Sequence, residues 1–190
     1  MRYLNLTIAI LITSLIIGCA GASSSIEPSK TIAFAEQGHA IAQNNLGSMY
    51  QYGDGIPKNY KKAVLWYEKS ASQGLPLAKV NLGYMYDGGL GVQQNKKKAI
   101  ALYKEAANLN EPSGMINLAE MYRTGDNIEQ SNIKAFMWLD IARFYTQNTK
   151  DMRAKWAARG ALDKVKENMS VDEINEGKKL SKDWINQIRF

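Results

Sequence analysis

The 190-residue chain has one cysteine, Cys19, and one histidine, His39. With no second cysteine to pair with, there is no disulfide framework, and stability has to come from apolar burial. A single imidazole excludes the usual histidine- or cysteine-rich metal sites and a Ser-His-Asp triad, so no cofactor is expected. His39 follows Gly38 at a helix start, where a surface or capping role accounts for it. A polybasic block is also missing. Its 24 basic and 18 acidic residues are interleaved and leave a net charge of +6. Such a mild excess suits anionic head groups or an acidic partner and argues against nucleic acid. Gly88-Gly89-Leu90-Gly91 lacks the following Gly-Lys-Ser or Gly-Lys-Thr of a phosphate loop.

The apolar stretch from Leu4 to Ile17 is shorter than the ~20 residues a bilayer crossing needs. It follows Met1-Arg2 and ends at Ile16-Ile17-Gly18-Cys19, the layout of a secretory signal over residues 1–18. Those last four residues resemble the lipobox of bacterial lipoproteins. The resemblance implies that Cys19 is the lipidated first residue of the exported protein, with three acyl chains where two membrane signals suffice for stable anchoring. Ala20 stands where an aspartate would favour inner-membrane retention, which implies the outer membrane, facing the periplasm. Residues 19–27, with Ala20 to Ser25 small and polar, read as a tether.

Beyond the tether the chain repeats itself every thirty-six residues. Asn45-Leu46, Met49-Tyr50, Gly53 and Lys62-Ala63 recur as Asn81-Leu82, Met85-Tyr86, Gly89 and Lys98-Ala99. They recur again as Asn117-Leu118, Met121-Tyr122, Gly125 and Lys134-Ala135. A period of this length is the mark of stacked units that cannot bury their apolar faces alone. Each unit reads as two antiparallel helices. The first, about Ala40 to Tyr52 in copy one, aligns Ala42, Leu46, Met49 and Tyr50 on one face. Glycine-rich loops follow, and Asn59, Asn95 and Ser131 stand at the N-caps of the second helices. A half repeat over 28–38 caps the start, and repeats run at about 39–74, 75–110 and 111–146. After Phe144 the period fails, and 147–190 is expected to hold capping helices. One is long, from about Thr149 to Asn168. The last begins at the capping box Ser170-Val171-Asp172-Glu173 and places Ile174, Leu180, Trp184 and Ile188 on one face.

The pattern Asn45-Leu46-Gly47…Tyr50…Gly53-Asp54-Gly55-Ile56…Lys62-Ala63…Trp66-Tyr67…Gly74 resembles the Sel1-like repeat family, which is related to tetratricopeptide repeats. The third copy departs from it at Ala119, Asn127 and Leu139. The resemblance implies an all-α, right-handed solenoid over 28–145, acting as a non-enzymatic scaffold or adaptor that binds a protein or peptide on its concave face. A periplasmic immunity protein that covers a toxic effector is an alternative. A second is a β-lactamase-like or peptidoglycan-acting enzyme. Secreted relatives of that kind carry paired cysteines within each repeat, and this chain has none. Ser131-Asn132-Ile133-Lys134 matches Ser-x-x-Lys, yet a helix cap and the repeat lysine already explain it.

Positions on the first helices that differ between copies are where ligand contacts would be written. These are the columns Gln43/Lys79/Met115, Asn44/Val80/Ile116, Ser48/Tyr84/Glu120 and Gln51/Asp87/Arg123. Tyr84, Asp87 and Arg123 lead, because aromatic and charged groups dominate protein-binding hot spots.

Overall fold

The computed structural model describes residues 28–188, so the signal, the tether and Cys19 lie outside the described residues. Among these are nine helices and no strand. The first seven are α1 (Pro28–Glu36), α2 (Ala40–Tyr52), α3 (Tyr60–Ser72), α4 (Pro76–Gly88), α5 (Lys96–Asn108), α6 (Pro112–Thr124) and α7 (Asn132–Thr146). The last two are α8 (Met152–Lys166) and α9 (Val171–Ile188). Helices α2/α3, α4/α5 and α6/α7 are the three hairpins, each packed on the next in chain order to give a solenoid.

The identical columns explain how each hairpin closes. Gly53, Gly89 and Gly125 adopt φ of 79°, 65° and 72°, and each donates its N–H to the carbonyl of Met49, Met85 or Met121. Only glycine takes that left-handed conformation at little cost. The backbone N–H groups of Asn59, Asn95 and Ser131 then donate to the carbonyls of Tyr50, Tyr86 and Tyr122 at 2.7, 2.8 and 2.8 Å. Their side chains accept from the amides of Lys62, Lys98 and Lys134, as N-caps do. Each of these lysines lays its ammonium over the tyrosine of its own hairpin, 5.2, 4.0 and 5.5 Å from the ring centre. The recurring Met, Tyr, Gly, Lys and cap residues therefore build one turn three times. Asn127 replaces the second loop glycine and still takes φ of 59°, against 72° at Gly55 and Gly91, so the third loop keeps its shape.

The core fills the space between hairpins. Tyr67 and Tyr103 are fully buried and lie flat against Gly47 and Gly83, where a β-carbon would come within 2.7 Å of the ring. Burial first, then Tyr52 for one and Asp87 for the other, pushes both phenols well above the ordinary tyrosine value. Because the folded state raises these pKa values, the stability they contribute is complete below the unfolded value near ~10. It falls away as pH rises past that point. The melting temperature is thus expected to drop between pH ~9.5 and ~11.5, and less steeply in Tyr103→Phe. Thermal scans across that range check this, and equal slopes for both forms would contradict it.

The C-terminal cap differs from the expected one in its contacts. Helix α9 lies on α7 through Gly177 and Ser181, with Ile174, Trp184 and Ile185 half-buried beside them. Leu180 is exposed, so the expected apolar face through Leu180 is displaced, and the side chain of Ile188 lies outside the described residues. The reason is close approach: a β-carbon at Gly177 would meet the Phe136 ring at 2.5 Å, and Ser181 donates to Asp140 at 2.7 Å. The capping box forms as read, with Ser170 and Glu173 bonded reciprocally through backbone and side chain.

Candidate partner-binding surface

The side of the stack on which a ligand can lie follows from its curvature. Of the first helices, α4 packs on α6 and α6 on α8, and a hydrogen bond from Asn81 to Asn44 links α4 to α2, while the second helices α3, α5 and α7 do not pack closely on each other. Elements nearer together line the inside of a curve, so the first helices form the inner face. On each of them the second helices cover most of the circumference and leave one narrow stripe at spacings of 4, 3 and 4. That stripe is Ile41-Asn45-Ser48-Tyr52 on α2, Leu77-Asn81-Tyr84-Gly88 on α4 and Ser113-Asn117-Glu120-Thr124 on α6.

Four large apolar or aromatic side chains stand on it in the open: Ile41 at 67% exposure, Tyr52 at 71%, Leu77 at 42% and Tyr84 at 49%. Scattered exposed apolar residues need no explanation, but these share one concave stripe on two adjacent helices. Beside them runs the column Asn45, Asn81 and Asn117, half-buried in every copy. Asn81 donates to Asn44 at 2.8 Å and so joins α4 to α2. Each carboxamide offers donors and an acceptor, the complement of an extended peptide backbone. Toward the C-terminus the face becomes charged. A cleft of about 350 Å3 between α6 and α8 is lined by Ile116, Asn117, Glu120, Arg123 and Lys164. There Arg123 grips Glu120 at 2.6 and 2.8 Å and holds its carboxyl below the usual range, with Lys164 adding to the effect.

The four variable columns divide sharply. Ser48, Tyr84 and Glu120 fall on the inner stripe, and Arg123 borders it. Gln43, Asn44, Gln51, Val80 and Met115 are buried, which corrects their reading as partner contacts. Gln43 donates to the Ala35 carbonyl of α1 and accepts from Gln73. Asn44 is held by Asn81, and Gln51 accepts from the Tyr67 hydroxyl at 2.6 Å. Val80 and Met115 sit in the largest apolar cluster. Lys79 pairs with Glu105 of its own hairpin at 2.5 Å, and Asp87 lies half-buried near Tyr103. At Gln43, Asn44, Gln51, Val80 and Met115 the residue type suits the neighbour that its hairpin meets. The Asn45/Asn81/Asn117 column and the apolar Ile41 and Leu77 were missed. Their signal was a polar residue kept identical in all copies, with apolar residues four positions before it in the first two.

Among the described residues no group of three His, Cys, Asp or Glu side chains can hold a metal ion. Ser131 Oγ accepts from the Lys134 amide as a helix cap. His39 stands at the N-cap of α2 without a side-chain cap bond, its ring edge-on to Phe34 at 5.5 Å.

A curved stack of helical hairpins with an open inner face defines a helical-repeat scaffold. The Sel1 repeat profile matches residues 40–75, 76–111 and 112–142, and the chain belongs to the Sel1 repeat family. Proteins built from this repeat generally mediate protein–protein interaction. Among solved structures the chain resembles c5321, a protective antigen of uropathogenic Escherichia coli strains displaying an SLR fold. Identity is 27% and the TM-score 0.71, over 84% of this chain and 32% of that one. It also resembles a Sel1 repeat protein from Oxalobacter formigenes, with 27% identity and a TM-score of 0.64 over 84% of this chain and 62% of the other. The chain thus spans about a third and about three-fifths of these two lengths. No curated protein matches the chain.

Proposed function

We propose that the protein is a membrane-anchored scaffold of the bacterial cell envelope that holds a partner protein along the inner face of its solenoid. The observation that carries this reading is the stripe of Ile41, Tyr52, Leu77 and Tyr84 beside the asparagine column, an apolar surface with backbone-matching polar groups that stays exposed among the described residues. Lipidation at Cys19, after an export signal over residues 1–18, would place the body at the outer membrane on the periplasmic side. A role in neutralising an envelope toxin is a narrower form of the same reading and uses the same face.

The test compares envelope partners recovered by the wild-type chain and by Leu77→Ala/Tyr84→Ala. The double variant is expected to lose most of the recovered partner, since truncated hot-spot residues cost ≥ ~2 kcal/mol. Both side chains are exposed, so the fold survives the change. Equal recovery would remove the inner face from the account. Cys19→Ser, fractionated in parallel, should move the protein from the membrane to the soluble fraction, and retention there would contradict the anchor.

A further inference from the structure

A second concavity lies on the flank of α8 turned away from the inner stripe. Helices α8 and α9 both pack on α7 and diverge over it, leaving a cleft of about 440 Å3 floored by the buried rings and methyls of Phe136 and Leu162. Its walls are basic. Helix α8 contributes Lys155, Arg159 and Lys166, α7 contributes Arg143, and α9 contributes Lys178, against two carboxylates, Asp140 and Asp163.

Those carboxylates are already engaged. Asp140 is bound by Arg143 at 2.7 Å and by the Ser181 hydroxyl at 2.7 Å, and Asp163 accepts from Lys166 at 3.3 Å. Lys155 donates to the Gln147 carbonyl at 3.1 Å. Arg159 and Lys178 have no ion-pair partner among the described residues, and both are exposed at the cleft. The cations are spread over three helices, α7, α8 and α9. Along α8 they extend over eleven residue steps from Lys155 to Lys166, ~16 Å at 1.5 Å per step. An extended polypeptide covers that distance in about five residues. The apolar floor takes the methylenes of glutamate side chains, whereas a flat anionic bilayer would meet the rim alone.

We infer that this cleft binds an acidic segment of a partner protein, about five extended residues long, whose carboxylates pair with Arg159 and Lys178. The site is independent of the inner face, because α8 turns Ala161, Lys164 and Val165 to one side and Arg159, Leu162 and Lys166 to the other.

The experiment titrates the full chain, solubilised in detergent, with a fluorescein-labelled deca-glutamate peptide and a deca-glutamine control at ~0.15 M salt. One-to-one, saturable binding of the glutamate peptide alone is expected. Arg159→Glu/Lys178→Glu should weaken it at least about tenfold. Lys61→Glu/Lys97→Glu carries the same charge change at exposed lysines far from the cleft and should shift it less than about twofold. Arg159→Gln/Lys178→Gln serves in the same way should the reversal pair disturb the far-ultraviolet circular dichroism. Absence of glutamate binding, or equal weakening by both reversal pairs, overturns the inference. So does loss confined to phosphatidylglycerol vesicles in a parallel arm.

Discussion

Leu82→Ala is expected to destabilise the protein by about 2–5 kcal/mol, the usual cost of emptying a leucine site in a packed interior. Leu82 is buried on α4 within a cluster that includes Val64, Tyr67 and Ala71 of the preceding hairpin and Leu102 of its own. The cavity would therefore open between hairpins, where a solenoid stores its cooperativity: a unit that cannot bury its face alone depends on its neighbours. Loss at this junction should lower the denaturation midpoint of the whole stack. Leu65→Ala, at an exposed position of α3, should change stability by less than ~0.5 kcal/mol. Urea titration followed by circular dichroism compares the two. Equal effects would mean that the hairpins do not stack through Leu82.

Gly83→Ala is expected to cost about 1–3 kcal/mol through overpacking, and Tyr103→Leu is expected to relieve much of that cost. The added methyl would stand 2.7 Å from Tyr103 Cε1, inside any permissible contact. The third hairpin makes the compensated version itself: Ala119 replaces the glycine, and Leu139 replaces the tyrosine packed on it. The two departures from the repeat are thus one change in packing, the larger backbone-side residue being matched by a smaller, flexible partner. A double-mutant cycle should show a coupling of at least ~1 kcal/mol in favour of the paired change. Additive losses would show that the glycine and tyrosine columns do not answer to each other.

The sequence revealed most where bonding is local. Caps at Asn59, Asn95 and Ser131, the left-handed glycines, and the Ser170–Glu173 box all depend on residues within a few positions of each other, and the structure shows each. Contacts across the stack were harder to read. Variation between copies at Gln43, Val80 and Met115 looks like ligand selection, yet each residue type suits the neighbour its hairpin meets: a cap carbonyl for one, apolar packing for the others. The Leu180 face failed for a related reason. An apolar scan gives no weight to glycine and serine, while α9 docks through Gly177 and Ser181 because small residues let two backbones come close. The inner stripe is half legible: Tyr84 stands out by its chemistry at a position that varies between copies, whereas Asn81 is identical in all three copies and reads as part of the repeat.

The most direct test of the account places a photo-crosslinking amino acid at position 84 on the inner face or at position 101 on the outer face of α5, where Ala101 is exposed, in the chain expressed in its own cells. Irradiation is expected to give a discrete protein adduct from position 84 and none from position 101. An adduct from position 101 alone would contradict a solenoid that works through its inner wall.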